Sequence, residues 1–331
     1  MDRFIPAWWC PGAHSQTVYR TLLGKTPSLP VKRVRWKTPD GDFLDLDFLE
    51  APEKADKYTP LILLLHGLEG SSRAKYMLGL LEACFKNQWP AVALNFRSCS
   101  GELNLRPQSY HFGETKDLSF VIKNLISLHP GRLIGIAGFS LGGNVLLKWL
   151  GENSSQTPGE IFAAAAVSVP FDLAVSSARI DRLVFNRIVY GRRFLKTLKS
   201  KSLRKIRDFK LDIPERRIRK INTLGEFDNL ITAPLHGFRD GEDYYEQSSS
   251  VHFLDKIRKA VYLLNAADDP FFPAENIPTG KIRRNEFLEA EYTVTGGHAG
   301  FVSGDFPWKA AYLPEERIIE FFKRKLAAID R

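Results

Sequence analysis

Cysteine is scarce in this 331-residue sequence. Its three cysteines, Cys10, Cys84 and Cys99, are odd in number and lack CxxC spacing. That excludes a disulfide framework and a zinc-finger ligand set. Long apolar runs are missing too: none reaches the roughly 18 to 20 residues that a membrane-spanning helix needs. The N-terminal stretch MDRFIPAWWC has no extended apolar segment of the signal-peptide kind. A cytoplasmic protein is the expectation. Neither GxxxxGK(S/T) nor GxGxxG occurs, so the common phosphate-cradling loops are absent. His14, His111, His129, His236 and His252 show no metal-ligand spacing. No metal or organic cofactor is expected.

What is present is an ordinary globular composition, 44% hydrophobic and 26% charged, with an uneven charge. The net charge is +9, yet residues 172–224 alone hold 16 Lys plus Arg against 5 Asp plus Glu, a local +11. The remainder therefore stands near −2. No nucleic-acid-binding motif accompanies the basic segment, so a nucleic-acid partner is not expected.

Residues 31–50 read as a β-hairpin around Thr38-Pro39-Asp40-Gly41-Asp42. Leu61–Leu65 and Ala91–Phe96 are continuous apolar runs of the kind buried on both faces of a parallel sheet. Helical spacing predicts helices over Lys75–Asn87 and Phe112–Leu128, then strands over Arg132–Gly138 and Phe162–Val169 around a helix that includes Gly142–Leu150. Strands at Ala260–Asn265 and Ala290–Thr295 and a closing helix at Pro314–Ile329 follow. This β-α alternation predicts a mostly parallel, doubly wound α/β sheet. The expected organisation is a core of residues 1–171 and 225–331 carrying a helical, basic cap at 172–224.

Gly138-Phe139-Ser140-Leu141-Gly142 is a GxSxG pentapeptide. Alone it is weak, because chance supplies one in about ten chains of this length. Its setting strengthens it. A buried-strand pattern precedes it and a helix follows, the arrangement that lifts a serine hydroxyl above a sheet edge. A serine needs a base. His298, in the glycine-rich Thr295-Gly296-Gly297-His298-Ala299-Gly300, is the candidate. Asp268 and Asp269, after the strand at 260–265, are candidates for the orienting acid. The order Ser, Asp, His suits this architecture.

Several further stretches, HGLEGS (66–71), NFRSCSGE (95–102), YHFGETKDL (110–118), FDNLITAPLHGF (227–238) and NAADDPFFP (265–273), complete a pattern over most of the chain. The sequence resembles an α/β-hydrolase, and within that superfamily the YheT-like branch of bacterial esterases and animal ABHD-type lipases. One departure is Ser98, where relatives usually carry glycine. The resemblance implies a Ser140, Asp269, His298 triad. It favours Asp269 because Pro273 stands four residues on, leaving Asp268 a structural part. The backbone N–H groups of Leu68 and Leu141 are the expected oxyanion donors, and His66 is read as a hydrogen-bonding prop for their loop.

The implied activity is cleavage of carboxylic esters, of short or medium acyl chain or lipid, through an acyl-enzyme. An acyltransferase or thioesterase would use the same triad, and a non-catalytic binding protein would break it. The basic segment carries Ile180, Leu183, Val184, Phe185, Ile188 and Val189 at helical spacing among arginines. It reads either as an amphipathic cap with its arginines in water, or as a lid that meets an anionic membrane or draws in an anionic ester.

Overall fold

Every residue of β3 (Leu61–Leu65) is buried, and its side chains divide between two layers. In the computed structural model, which describes residues 4–50 and 59–329, Leu61, Leu63 and Leu65 join one apolar cluster, and Ile62 and Leu64 join another. Residues 1–3 of the N-terminal stretch read above lie outside the described residues. The first cluster includes Val121 and Leu125 of α3 (Lys116–Leu128) and Val145 and Leu146 of α4 (Leu141–Asn153). The second includes Met77 and Leu80 of α2 (Lys75–Lys86) and Ile318 and Phe322 of a closing helix at Leu313–Ile329. A strand covered on both faces has no polar side, which is why its sequence does not alternate.

The other sheet strands are β1 (Val31–Lys37), β2 (Phe43–Leu49), β4 (Ala91–Asn95), β5 (Ile134–Phe139), β6 (Ile161–Val167), β7 (Ala260–Ala266) and β8 (Leu288–Thr293). Their order is β1-β2-β4-β3-β5-β6-β7-β8. β1/β2 and β2/β4 pair antiparallel, and the remaining pairs are parallel. A small ribbon, β9 (Val302–Ser303) with β10 (Ala311–Tyr312), follows. Helix α1 (Ala13–Leu23), to which the sequence reading assigned nothing, precedes the sheet.

Helix α3 starts four residues later than its apolar spacing predicts. The missing turn packs elsewhere: Phe112 N–H donates to Tyr244 Oη at 3.1 Å, and a Cβ on Gly113 would lie 2.4 Å from Ser248 Oγ. Between β6 and β7 the chain is helical, with α5 (Leu173–Arg182), α6 (Val184–Asn186), α7 (Arg192–Phe209), α8 (Glu215–Lys220), α9 (Leu224–Phe227), α10 (Ala233–His236) and α11 (Gly241–Ser248). π-helical turns at Arg187–Gly191 and Asp228–Thr232 join α6 to α7 and α9 to α10. The helices thus run past residue 224, where a Thr223–Glu226 capping box starts α9. After β7 comes α12 (Thr279–Arg284), and Leu313–Ile329 is α13.

Candidate active site

Ser140 sits between β5 and α4 with φ 52° and ψ −116°. A non-glycine residue held there costs about 1–3 kcal/mol, and it persists because its surroundings impose it. Ser140 N–H donates to Val167 O on β6 at 2.8 Å, and Asn144 N–H donates to Ser140 O at 3.0 Å. The flanking glycines permit the close approach. A Cβ on Gly138 would lie 2.5 Å from Gly142 O, and one on Gly142 2.6 Å from Leu65 O. Asn144 fixes the helix from its other side: Nδ2 donates to Phe112 O and Ser248 O at 2.9 and 2.8 Å, and Oδ1 accepts from Ser250 N–H.

Two further strand ends supply the histidine and its partner. Asp269, just beyond β7, has a side chain only 1% exposed. His298 Nδ1 donates to Asp269 Oδ2 at 2.9 Å, and Phe271 N–H donates to Asp269 Oδ1 at 2.8 Å. Asp268 points instead at the histidine loop, where its Oδ1 accepts from Gly297 N–H at 2.8 Å. Burial pushes the Asp268 carboxyl above its usual range, with the neighbouring Asp269 charge adding to the rise against the Gly297 bond. The His298 ring bonds run to Asp269, and none joins it to Ser140 among the described residues. Catalytic hydrogen bonds are often long without substrate.

The sequence missed what supports this loop. Thr17 Oγ1 on α1 accepts from His298 N–H at 2.9 Å, Ser168 Oγ accepts from Ala299 N–H at 2.9 Å, and the Phe271 ring lies 4.1 Å from the imidazole. The aromatic pair in Pro270-Phe271-Phe272 was the available signal for the last of these contacts.

Leu68 and Leu141 offer backbone N–H groups that donate to no acceptor among the described residues. Leu141 opens α4, whose dipole favours negative charge there. The Leu68 turn is held from several sides. Gly67 N–H donates to Tyr76 Oη at 2.8 Å. Buried His66 donates from Nδ1 to Gly67 O at 2.7 Å and accepts from Phe96 N–H at Nε2, 3.1 Å. Burial pushes its pKa down to about 4, so the ring is neutral. Glu69 holds φ 52°. Its N–H donates to Tyr110 Oη at 2.7 Å, and its Oε1 accepts from Tyr110 O–H and from Lys201 Nζ on α7, each at 2.8 Å. Glu69, Tyr110 and Lys201 lie in motifs or charge runs whose role the sequence alone left unassigned.

Leu68 and Leu141 also line a cavity that opens to solvent. Its walls are largely apolar, with Leu173 and Ile180 from α5 and Leu198 and Ile206 from α7. His111 and His236 stand on the same wall. Together with Glu114 they bring potential ligand atoms within 4.8 Å of one another, a proximity that spacing along the chain did not reveal. Gly113 N–H donates to His111 Nδ1 at 3.1 Å, so the ring proton sits on Nε2, facing Glu114 at 3.6 Å. Ligation through Nε2 would require that proton to leave, and the donor set fits a hydrogen-bonded cluster better than a metal. Ser98 has φ 64°, a backbone region that suits the glycine usual there, and its Oγ donates to Asn104 Oδ1 at 2.5 Å.

A family profile described as the alpha/beta hydrolase fold matches residues 60–305. The chain is 35% identical over 327 residues to YheT of Escherichia coli (strain K12), a protein provisionally named an esterase, with 98% of this chain and 94% of that one covered. It is 32% identical over 330 residues to phospholipase ABHD3 of Mus musculus, covering 97% of this chain and 78% of the relative. Among solved structures, Pyrococcus furiosus esterase Pf2001 shares the fold, with a TM-score of 0.60 at 21% identity over 90% of this chain and 92% of that one. The chain belongs to the α/β-hydrolase family, on the branch that contains YheT and the ABHD3 proteins.

Proposed function

We propose that this protein is a carboxylic ester hydrolase with Ser140, His298 and Asp269 as its triad. The observation that carries the reading is the His298 Nδ1–Asp269 bond of 2.9 Å, formed at the same sheet edge as Ser140 on its constrained turn. With Nδ1 committed to Asp269, Nε2 is the nitrogen free to take a proton. Ser140 Oγ attacks the ester carbonyl as His298 Nε2 takes its proton. The Leu68 and Leu141 N–H groups receive the oxyanion, each such donor being worth about 2.7–4 kcal/mol of barrier. The tetrahedral intermediate expels the alkoxide, which leaves as the alcohol with the proton from His298. Water, deprotonated by the same nitrogen, then attacks the acyl-enzyme and releases the acid and Ser140.

The apolar cavity beside Leu68 and Leu141 supports an acyl group of medium length or a lipid acyl chain. The names of the two relatives, an esterase and a phospholipase, support the same substrate class. A p-nitrophenyl ester series from acetate through octanoate to palmitate tests this. The expected result is a kcat/KM that rises from acetate to the medium chains and is lost in His298→Ala. A folded wild-type protein that hydrolyses none of the series would overturn the proposal.

A further inference from the structure

Between α5 and α7 the chain leaves apolar side chains largely in water, although one face of the Phe185 ring rests 4.2 Å from the His14 ring. Leu183, Val184, Phe185 and Ile188 are 45%, 62%, 51% and 46% exposed. Their neighbours Ile180 and Tyr190 are buried, in a cluster with Leu195, Phe227 and Phe271. The exposed turn is also firmly held. Buried Asn186 donates from Nδ2 to Pro270 O at 2.6 Å, and Tyr190 Oη lies 3.0 Å from His14 Nδ1. An anchored turn that presents four large apolar side chains to water offers a contact surface.

Cations surround it. Arg182, Arg187, Arg192, Arg193 and Lys196 are exposed, and none forms an ion pair among the described residues. Arg187, Arg192, Lys196, Lys199 and Arg219 line one open groove that contains no carboxylate of its own, although Arg219 reaches Glu215 at 2.9 Å. A nucleic acid would engage the cations and leave Val184 and Phe185 in water. A lipid surface uses both. Its phosphates attract the cations, and its acyl boundary takes the apolar side chains.

We propose that the Leu183–Ile188 turn and its basic flank dock on an anionic lipid surface. This goes beyond the hydrolase reading and does not depend on it. The anchor nevertheless joins the two regions: Asn186 grips Pro270, the residue after Asp269, and Tyr190 packs 4.7 Å from Phe271, whose ring covers His298. Lipid contact at the turn would therefore meet the protein beside the acid loop.

The test is flotation of the full chain with vesicles of phosphatidylcholine, with and without phosphatidylglycerol. The chain should float with the anionic vesicles, far less with the neutral ones, and less as salt rises. Val184→Ser/Phe185→Ser should lower the partition coefficient about tenfold or more, since two large apolar side chains withdrawn from lipid outweigh the about 1.4 kcal/mol of one decade. Its melting temperature and its hydrolysis of soluble p-nitrophenyl butyrate should match wild type. If the double variant melts early, Val184→Ser alone, at the most exposed of the four positions, should still show a loss. Arg187→Gln/Arg192→Gln should flatten the salt dependence. No flotation, equal binding of both vesicle types, or serine variants that float like wild type would each overturn the proposal. Retention of an RNA oligonucleotide without flotation would overturn it as well and assign the cations to nucleic acid. Flotation needs no turnover, so its failure and a failure of the hydrolase reading are separate results.

Discussion

Two adjacent aspartates with different partners allow a sharp test, Asp269→Asn against Asp268→Asn. Asp269, with a side chain 1% exposed, accepts a hydrogen bond from His298 Nδ1 at 2.9 Å. Asparagine keeps its size but can turn an amide N–H toward the ring. The imidazole then carries its proton on Nε2, where it cannot accept one from Ser140. In a serine triad this exchange costs about 10⁴ in kcat, or about 5.4 kcal/mol of barrier. Asp268 accepts from the Gly297 N–H at 2.8 Å, a bond that an asparagine oxygen can also accept. That bond reaches the loop backbone and not the His298 ring, so kcat should stay within about tenfold of wild type. The stability sign is opposite to that of a salt-bridged carboxylate. Burial raises the Asp268 pKa, so its contribution is present below the unfolded pKa and lost as pH rises through the folded one. Above that range Asp268→Asn should melt no lower than wild type. Steady-state hydrolysis of p-nitrophenyl butyrate and thermal melts provide both readings. A collapse of kcat in Asp268→Asn with Asp269→Asn near wild type would refute the assignment.

Gly142→Ala places a Cβ 2.6 Å from Leu65 O and 2.7 Å from His66 O, both backbone atoms. It should cost about 3 kcal/mol of stability, read as a shift in denaturant midpoint. Lys201→Met removes the cation at 2.8 Å from Glu69 and loosens the turn that aims the Leu68 N–H. The loss, about tenfold, should fall on kcat more than on KM, and Lys201→Arg should recover part of it. Desolvation pushes the Asp228 carboxyl up to about 6, although Thr232 and Tyr245 hydroxyls donate to it. Its stabilising contribution is present below the unfolded pKa and lost as pH rises through about 6. Asp228→Asn should therefore gain about 3 kcal/mol over wild type at about pH 8 and well under 1 kcal/mol near pH 4, measured by denaturant melts.

The sheet was legible because strands covered on both faces need unbroken apolar runs, as in Leu61–Leu65 and Ala91–Asn95. The elbow was legible because its backbone leaves no room for a Cβ at Gly138 or Gly142. Helix α1 was not. Leu22 and Leu23 are 66% and 73% exposed, so its apolar residues do not mark one buried stripe, and its contact with the histidine loop spans nearly the whole chain. Nor did spacing reveal which way Leu183–Ile188 faces. Helical periodicity is the same for a stripe turned inward or outward, and the π turn at Arg187–Gly191 shifts the register. The props of the Leu68 turn, Tyr76, Tyr110 and Lys201, come from three separate segments, and only the fold brings them together.

Everything proposed for this site rests on Ser140 being a nucleophile activated by His298. Labelling folded protein with a fluorophosphonate probe, followed by peptide mass analysis, tests it most directly. One adduct is expected, on Ser140, absent in Ser140→Ala and strongly slowed in His298→Ala. No adduct on folded wild-type protein, or an adduct that persists on another residue in Ser140→Ala, would contradict it.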